Sequence, residues 1–196
     1  VHYHLNQFPP KTLEWQQLIP LIGPAQAALA RYDGILQAIP NPQVLLSPLT
    51  AQEAVLSSRI EGTQVTLGDV LRVDAGDEAA VLSKERRDDV EEIRNYREAL
   101  GTSVHKLAKI PLSQRLLKEA HAILLQGVRG RKKNPGQYRR IQNFIGPGGC
   151  DIETARFIPI APNLLNDGMS QWEKFIHQDF LDSLVQLALV HAEFEA

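Results

Sequence analysis

The chain has 196 residues, 43% apolar and 22% charged, with 21 Lys and Arg against 23 Asp and Glu, a composition that excludes fibrous, disordered and strongly nucleic-acid-like classes. The formal net charge of −2 gives no bulk attraction to polyanions, and the single Cys150 excludes an internal disulfide framework and any Cys-based zinc site. No run approaches the roughly 18 apolar residues of a membrane span, and the opening VHYHLNQFPP lacks a basic-then-apolar signal, so a cytoplasmic protein with no membrane partner is expected.

Helical periodicity then dominates. Gly23 and Pro24 read as a helix start, followed by Ala28, Leu29, Tyr32, Ile35, Leu36 and Ile39 on one face, and the turn from Pro40 to Pro42 ends that run. Ser47 and Pro48 read as the N-cap and first-turn proline of a second helix, which passes through Leu49, Leu56 and Ile60 to Gly62, placed as a C-terminal glycine. Thr66 opens a short helix containing Val70 and Leu71, and the polar stretch from Asp74 to Glu78 reads as a loop. A charge-rich helix is expected over roughly 79–100, with Val90, Ile93, Tyr96 and Leu100 inward, its charges solvated and Gly101 after it.

Ser113 caps a further helix bearing Leu116, Leu117, Ala120, Ile123 and Leu124 ahead of Gly127. Residues 127–150 hold six glycines, two prolines and six basic residues and form a loop, in which only Tyr138 to Ile145 suits a strand. Phe157 to Pro162 can be at most an edge hairpin, because Pro cannot donate to a sheet ladder. Leu165, Met169, Trp172, Phe175 and Ile176 form one helical stripe, while from Leu181 to Phe194 the apolar residues encircle the helix, which predicts a buried central helix. The fold class is therefore mostly α-helical with one short hairpin. The chain opens on Val1 and closes on HAEFEA inside a helical pattern, so a piece of a longer protein is expected.

Few residues carry obvious chemistry. Arg129, Arg131, Lys132, Lys133, Arg139 and Arg140 are suited to phosphate or nucleic acid, but near-neutral charge and few neighbouring aromatics favour a solvated loop. His121 and His191 lie among apolar neighbours with no partner at metal-ligand spacing, so satisfied core histidines are expected and no metal site. Cys150 reads as a free surface thiol. Glu61 stands out, because it ends a well-capped helix where the dipole favours a cation, at a cost of up to about 1 kcal/mol unless something positive answers it. Ser57 lies one turn earlier on the same face, and Arg59 or solvent is the local alternative for satisfying the carboxylate.

At these residues a resemblance emerges. SSRIEG at 57–62 resembles the inhibitory helix motif of Fic-family proteins, and LLSPLTAQEAVLSSRIEGTQVTL at 45–67 is similar to the N-terminal Fic region. Downstream, PGQYRRIQNFIG at 135–146 resembles the entry to the family's β-hairpin flap, ARFIPIAP at 155–162 the flap and its exit, and LALVHAEFEA at 187–196 the helix leading into the catalytic loop. The resemblance implies a Fic-like helical core with an inhibitory region over about 1–100 and the front of the core over about 101–196. It implies AMP transfer from ATP, with Mg²⁺, to a Ser, Thr or Tyr hydroxyl of a protein, checked by Glu61 with Ser57 beside it at the nucleotide site. Phe157, Ile158, Pro159 and Ile160 would form the target-binding flap.

The family signature HPFxxGNGRxxR, whose His, acidic residue, Gly-rich turn and last Arg would supply the base, the Mg²⁺ ligand, the phosphate nest and the γ-phosphate grip, is expected just beyond Ala196. The chain alone is therefore expected to hold no catalytic residue, to bind these cofactors poorly and to be inactive, and its apolar last helix to favour a homo-oligomer. The second reading is a stand-alone helical regulatory or binding module, with the basic loop 129–140 as its surface for nucleic acid.

Overall fold

The computed structural model describes residues 1–60, 62–77, 83–127 and 133–196, with the side chains of Gln43 and Leu45 excepted. Among these residues seven helices account for the regular structure: α1 (Trp15–Ala38), α2 (Pro42–Ile60), α3 (Leu67–Asp74), α4 (Lys84–Leu107), α5 (Gln114–Leu124), α6 (Leu165–Ile176) and α7 (Ser183–Glu195). The mostly α-helical class is thus as expected. The hairpin shrinks to a single antiparallel bridge between Ile145 and Phe157, and none of the other residues from Tyr138 to Phe144 pairs as a strand. The contacts divide the chain into two units, one of Val1–Gly34 with Tyr138–Ala196, the other of Ile35–Gln137.

Two helix starts differ from expectation for one reason. The first helix begins at Trp15 and carries Pro20 and Pro24 inside it, rather than starting at Gly23 and Pro24. Proline's fixed φ suits a helix; what it removes is an N–H whose partner would be the carbonyl four residues back. Those carbonyls belong to Gln16 and Pro20, both exposed, so water satisfies them, and no residue of α1 is buried. The second helix likewise starts at Pro42, itself a good first-turn residue, and Pro48 lies inside it opposite the exposed Val44.

The core of the Ile35–Gln137 unit is small and aliphatic. Ala54 and Val55 of α2, Val65 of the following turn, Val70 and Val73 of α3, and Val90 and Ile93 of α4 pack together, with Tyr96 against them. Thr66 caps α3 reciprocally with Asp69, in the manner of a capping box: the Thr66 Oγ1 accepts from the Asp69 N–H at 3.2 Å, and Asp69 Oδ2 accepts from the Thr66 N–H at 3.0 Å. The capping bonds hold the Asp69 carboxyl below its ordinary range.

The α4 helix runs through Gly101 to Leu107 instead of stopping at it. A mid-helix glycine costs about 1 kcal/mol, too little to end a helix that buries Ala99 and ends just ahead of Pro111. Ser83 caps its start as the first described residue there; Ala79 to Leu82, where the sequence placed the first turn, lie outside the described residues. The charges of α4 are not all solvated. Arg97 pairs with Asp74 at 2.5 Å and Arg94 donates to the Val73 carbonyl at 3.3 Å, placing cations at the C-terminal end of α3 where the dipole favours them.

Ser113 caps α5 as expected, and the Asn95 amide of α4 donates to the Gln126 carbonyl at 2.6 Å. His121 is a satisfied histidine: its Nδ1 accepts the Gly136 N–H at 3.0 Å. Gly136 has φ +75°, and a Cβ there would stand 3.0 Å from the Lys118 carbonyl oxygen, so only glycine lets the chain pass so close to α5.

In the other unit, α6 buries Trp172 and Phe175, and the Trp172 indole donates to the Val190 carbonyl of α7 at 2.8 Å. Phe8 and Phe180 each meet Phe175 edge-on, at 5.1 and 5.3 Å between ring centroids. The segment from Leu181 to Phe194, read as a buried central helix, is buried only in part. Only Val185 and Val190 of α7 are buried, because a helix apolar all round that is covered along one side leaves Leu187 and Phe194 in solvent. His191 is exposed for the same reason rather than a core residue.

Burial pushes the His121 imidazole below its ordinary value of 6.5, and the Gly136 N–H bond also requires an unprotonated Nδ1. As pH falls through about 6.5 the unfolded chain takes up this proton before the folded one, so the His121 contribution to stability is full above that pH and is lost below it. Thermal melts at pH 7.5 and 5.5 are expected to show a lower Tm at pH 5.5, and His121→Gln to lessen that drop. An equal drop in both proteins would remove His121 as its source.

Candidate functional site

The SSRIEG segment sits where α2 ends. Gly62 adopts φ +101°, its N–H donates to the Arg59 carbonyl at 3.0 Å, and the Thr63 N–H donates to the Ser58 carbonyl at 3.2 Å. These two bonds make a Schellman closure, in which a left-handed residue directly after the helix satisfies its last carbonyls. The glycine stop read from the sequence is thus present. Glu61 itself lies outside the described residues.

A second device fixes the turn that follows. Asp89 of α4, only 5% exposed, accepts the Gln64 N–H on its Oδ2 at 2.9 Å. It was expected among the solvated charges of α4; instead its carboxylate is buried and tied to the backbone leaving α2. A buried carboxylate needs such donors to offset its lost hydration.

Beside this turn, within the same unit, opens a cleft of about 810 Å³. Ser57, Ser58 and Thr63 form one wall and Glu91 and Tyr96 of α4 another, while Leu124 and Leu125 supply apolar surface at the end of α5. Ser57 does not stand free on this wall. Its hydroxyl donates to Glu53 Oε1 at 2.6 Å, one turn back along α2, and the same oxygen accepts the Tyr96 hydroxyl at 3.0 Å. Burial first, then the bond to Glu53 and its charge, raise the Tyr96 phenol above its ordinary value, so Tyr96 remains a donor at neutral pH. Thr63 is 5% exposed, and its Oγ1 finds no partner among the described residues.

The segment from Phe157 to Ile160 belongs to the other unit and is described by itself. Phe157 exchanges both backbone bonds with Ile145, its carbonyl accepting at 2.8 Å and its N–H donating at 3.0 Å. Beyond it Pro159 has no N–H, and side chains take over what a ladder would do. The Gln142 amide donates to the Pro159 carbonyl at 3.0 Å, and the Arg139 guanidinium donates to the Ile160 carbonyl. Phe157, Ile158 and Pro159 are half-buried and Ile160 is buried.

The basic residues of the loop therefore separate. Arg139 is a clamp rather than a solvated charge, with burial lowering its hold on the proton. Lys133 is exposed at the rim of the 810 Å³ cleft, Arg140 is exposed, and Arg129, Arg131 and Lys132 lie outside the described residues. Cys150 is a free thiol but half-buried, packed so closely on Gly146 that a Cβ there would come within 2.5 Å of its Sγ. Among the described residues no three or more His, Cys, Asp or Glu gather to hold a metal, and no helix is long and apolar enough to cross a membrane.

Residues 19–105 match the family model described as Fic/DOC family N-terminal. The match runs from α1 to near the end of α4, so it includes the closed end of α2 and the α4 wall of the cleft, whereas α5 and the segment 155–162 lie beyond it. Over these residues the chain is similar to the N-terminal region of Fic/DOC-family proteins.

Sequence reasoning missed Asp89, Glu53, Gln142 and the clamp role of Arg139. Glu53 was findable, since it stands four residues before Ser57 on a helix. Asp89 was not, because its value comes from a backbone donor 25 residues away.

Removing the Asp89 carboxylate should cost stability on the scale of a hydrogen bond to a charged group, about 1.5–3 kcal/mol. Asp89→Ala is expected to lower the denaturant midpoint accordingly and to speed exchange of the Gln64 amide. Asp89→Asn, which keeps an acceptor, should lose less. Equal losses in the two variants would contradict a role as backbone acceptor.

Proposed function

We propose that this chain is the N-terminal portion of a Fic-type protein adenylyltransferase, which transfers AMP from ATP to a hydroxyl of a target protein and is held in check by Glu61. The observation that carries this reading is the closed end of α2. The Schellman bonds at Gly62 and Thr63 and the Asp89 to Gln64 bond hold the backbone on the C-terminal side of residue 61 in one conformation, beside the cleft that Ser57, Ser58 and Thr63 help to line. A carboxylate meant to block a substrate contact needs such a fixed mount, since a frayed helix end would spread its population over many positions.

In this reading Glu61 pairs with the last Arg of the signature HPFxxGNGRxxR and so competes with the γ-phosphate for it. Ser57 keeps the wall of the site in order through Glu53 and Tyr96. The segment Phe157–Ile160 receives the target, held in shape by Arg139 and Gln142. ATP and Mg²⁺ supply the activated phosphoryl chemistry. By the resemblance, the groups that would grip the phosphates and the metal belong to the signature, which residues 1–196 do not include, so no step is assigned to residues of this segment. The partner is a protein bearing a Ser, Thr or Tyr hydroxyl, met in the cytoplasm.

Two measurements test this. In the complete protein carrying the signature, Glu61→Gly should raise AMP transfer roughly tenfold to a hundredfold, the equivalent of a charge-assisted pair of about 1.5–3 kcal/mol. Stability should scarcely change, because Gly62 already supplies the helix stop. Equal initial rates at saturating ATP would remove the regulatory role. Separately, residues 1–196 alone should leave candidate targets unlabelled after incubation with labelled ATP and Mg²⁺, and any label that depends on this chain would refute the assignment of catalysis to the signature.

A further inference from the structure

The turn at Asn134–Gln137 is fastened to α5 through a titratable atom. Asn134, Pro135, Gly136 and Gln137 carry the marks of a type II turn: proline in its second position, glycine at φ +75° in its third, and the Gln137 N–H donating to the Asn134 carbonyl at 3.1 Å. The closing bond leaves the Gly136 N–H for another acceptor, and His121 Nδ1 takes it at 3.0 Å. The turn also lies tight on the helix. A Cβ on Gly136 would stand 3.0 Å from the Lys118 carbonyl oxygen and 3.3 Å from the Ala122 Cβ.

An imidazole nitrogen accepts only while it carries no proton. With Nδ1 as the acceptor, the proton of the neutral ring is on Nε2; a second proton goes to Nδ1 and sets one N–H against another. The Gly136 N–H then loses its acceptor, and a half-buried donor without a partner is costly to keep. The charged groups around the turn do not offset this. Arg115, Lys118 and Glu119 of α5 line the cleft beside Gly136, and Glu119 already accepts from Lys106 at 2.6 Å and from Arg115 at 3.3 Å. Lys133, next to the turn in the chain, lines the other cleft. Burial lowers the imidazole and so acts in the same direction as the bond to Gly136.

We infer that His121 is a pH-sensitive latch: its neutral ring fastens the turn Asn134–Gln137 to α5, and protonation releases the turn. Release needs the loss of one polar bond and a few contacts, whereas unfolding the unit breaks the whole core around Val65 and Ile93, so the turn opens first as pH falls. The turn leads within two residues to Arg139, whose guanidinium donates to the Ile160 carbonyl, so the latch governs how firmly the chain is held just ahead of that clamp. This does not rest on the adenylyltransferase reading.

Hydrogen exchange in the intact chain, with rates corrected for the intrinsic pH dependence of exchange, tests the latch. From pH 7.5 to 5.5 the protection of the Gly136 amide should fall about threefold to tenfold, the upper limit being set by the ordinary His value of 6.5 in the open turn. At both pH values Gly136 should be at least tenfold less protected than the Val70 amide, which bonds to the Thr66 carbonyl within the core. His121→Asn, whose side-chain carbonyl can stand where Nδ1 does and does not titrate, should give Gly136 the same protection at both pH values. His121→Leu offers no acceptor and should leave that protection low at both. The wild-type comparison decides the matter even where a variant does not fold. Unchanged Gly136 protection between the two pH values, equal protection of Gly136 and Val70, or the same pH-dependent loss in His121→Asn as in the wild type would each overturn the latch.

Discussion

The Asp89 carboxylate, buried in α4 and bonded to the Gln64 N–H, is the constraint around which the Ile35–Gln137 unit is arranged. A charge taken out of water must be met by donors, and this one is met by the backbone that leaves α2. The bond fixes where the turn from Gly62 to Thr66 lies on α4. Val65, completely buried, is thereby placed among Val55, Val70 and Ile93, and Thr66 is placed to cap α3. The same turn sets the end of α2, and with it the wall of the cleft that bears Ser57, Ser58 and Thr63. Core, capping and site thus share one polar anchor.

The segment Phe157–Ile160 of the other unit solves a different problem. A segment rich in proline cannot complete a ladder, yet its carbonyls still need donors. Gln142 and Arg139 supply them from the preceding loop, and residues 1–3 supply the pairing that remains at Ile158. The result is a short extended segment held from three directions by groups far apart in the sequence. Its order depends on side chains more than on strand pairing.

Placement of the helices was legible where the signal is local. Thr66 with Asp69 and Ser113 ahead of α5 are caps that work within one turn, and Gly62 is a stop because its left-handed conformation is intrinsic to glycine. The prolines misled because the same ring is compatible with a first turn and with an exposed helix interior, and only solvent access to the orphaned carbonyl decides between them. Gly101 misled in the opposite sense, since packing around Ala99 outweighs a propensity of about 1 kcal/mol. The stripe on α6 was read correctly through Trp172 and Phe175, whereas α7, apolar on every side, carried no information about which side would be covered.

The candidate site divides along the same line. The sequence by itself determined the helical class and the closed end of α2, because these are written in neighbouring residues whose spacing alone sets their geometry. Only the tertiary structure decided that Asp89 anchors the turn, that Ser57 answers to Glu53 and Tyr96, that Arg139 grips the Ile160 carbonyl and that Glu193 meets Tyr3 and His4. Most of these are meetings between groups tens of residues apart. Even the local bond between Ser57 and Glu53 gains its meaning from Tyr96, which reaches the same oxygen from another helix. A carboxylate in the sequence is only a charge. Which donor it finds, and whether water is shut out around it, is settled by packing.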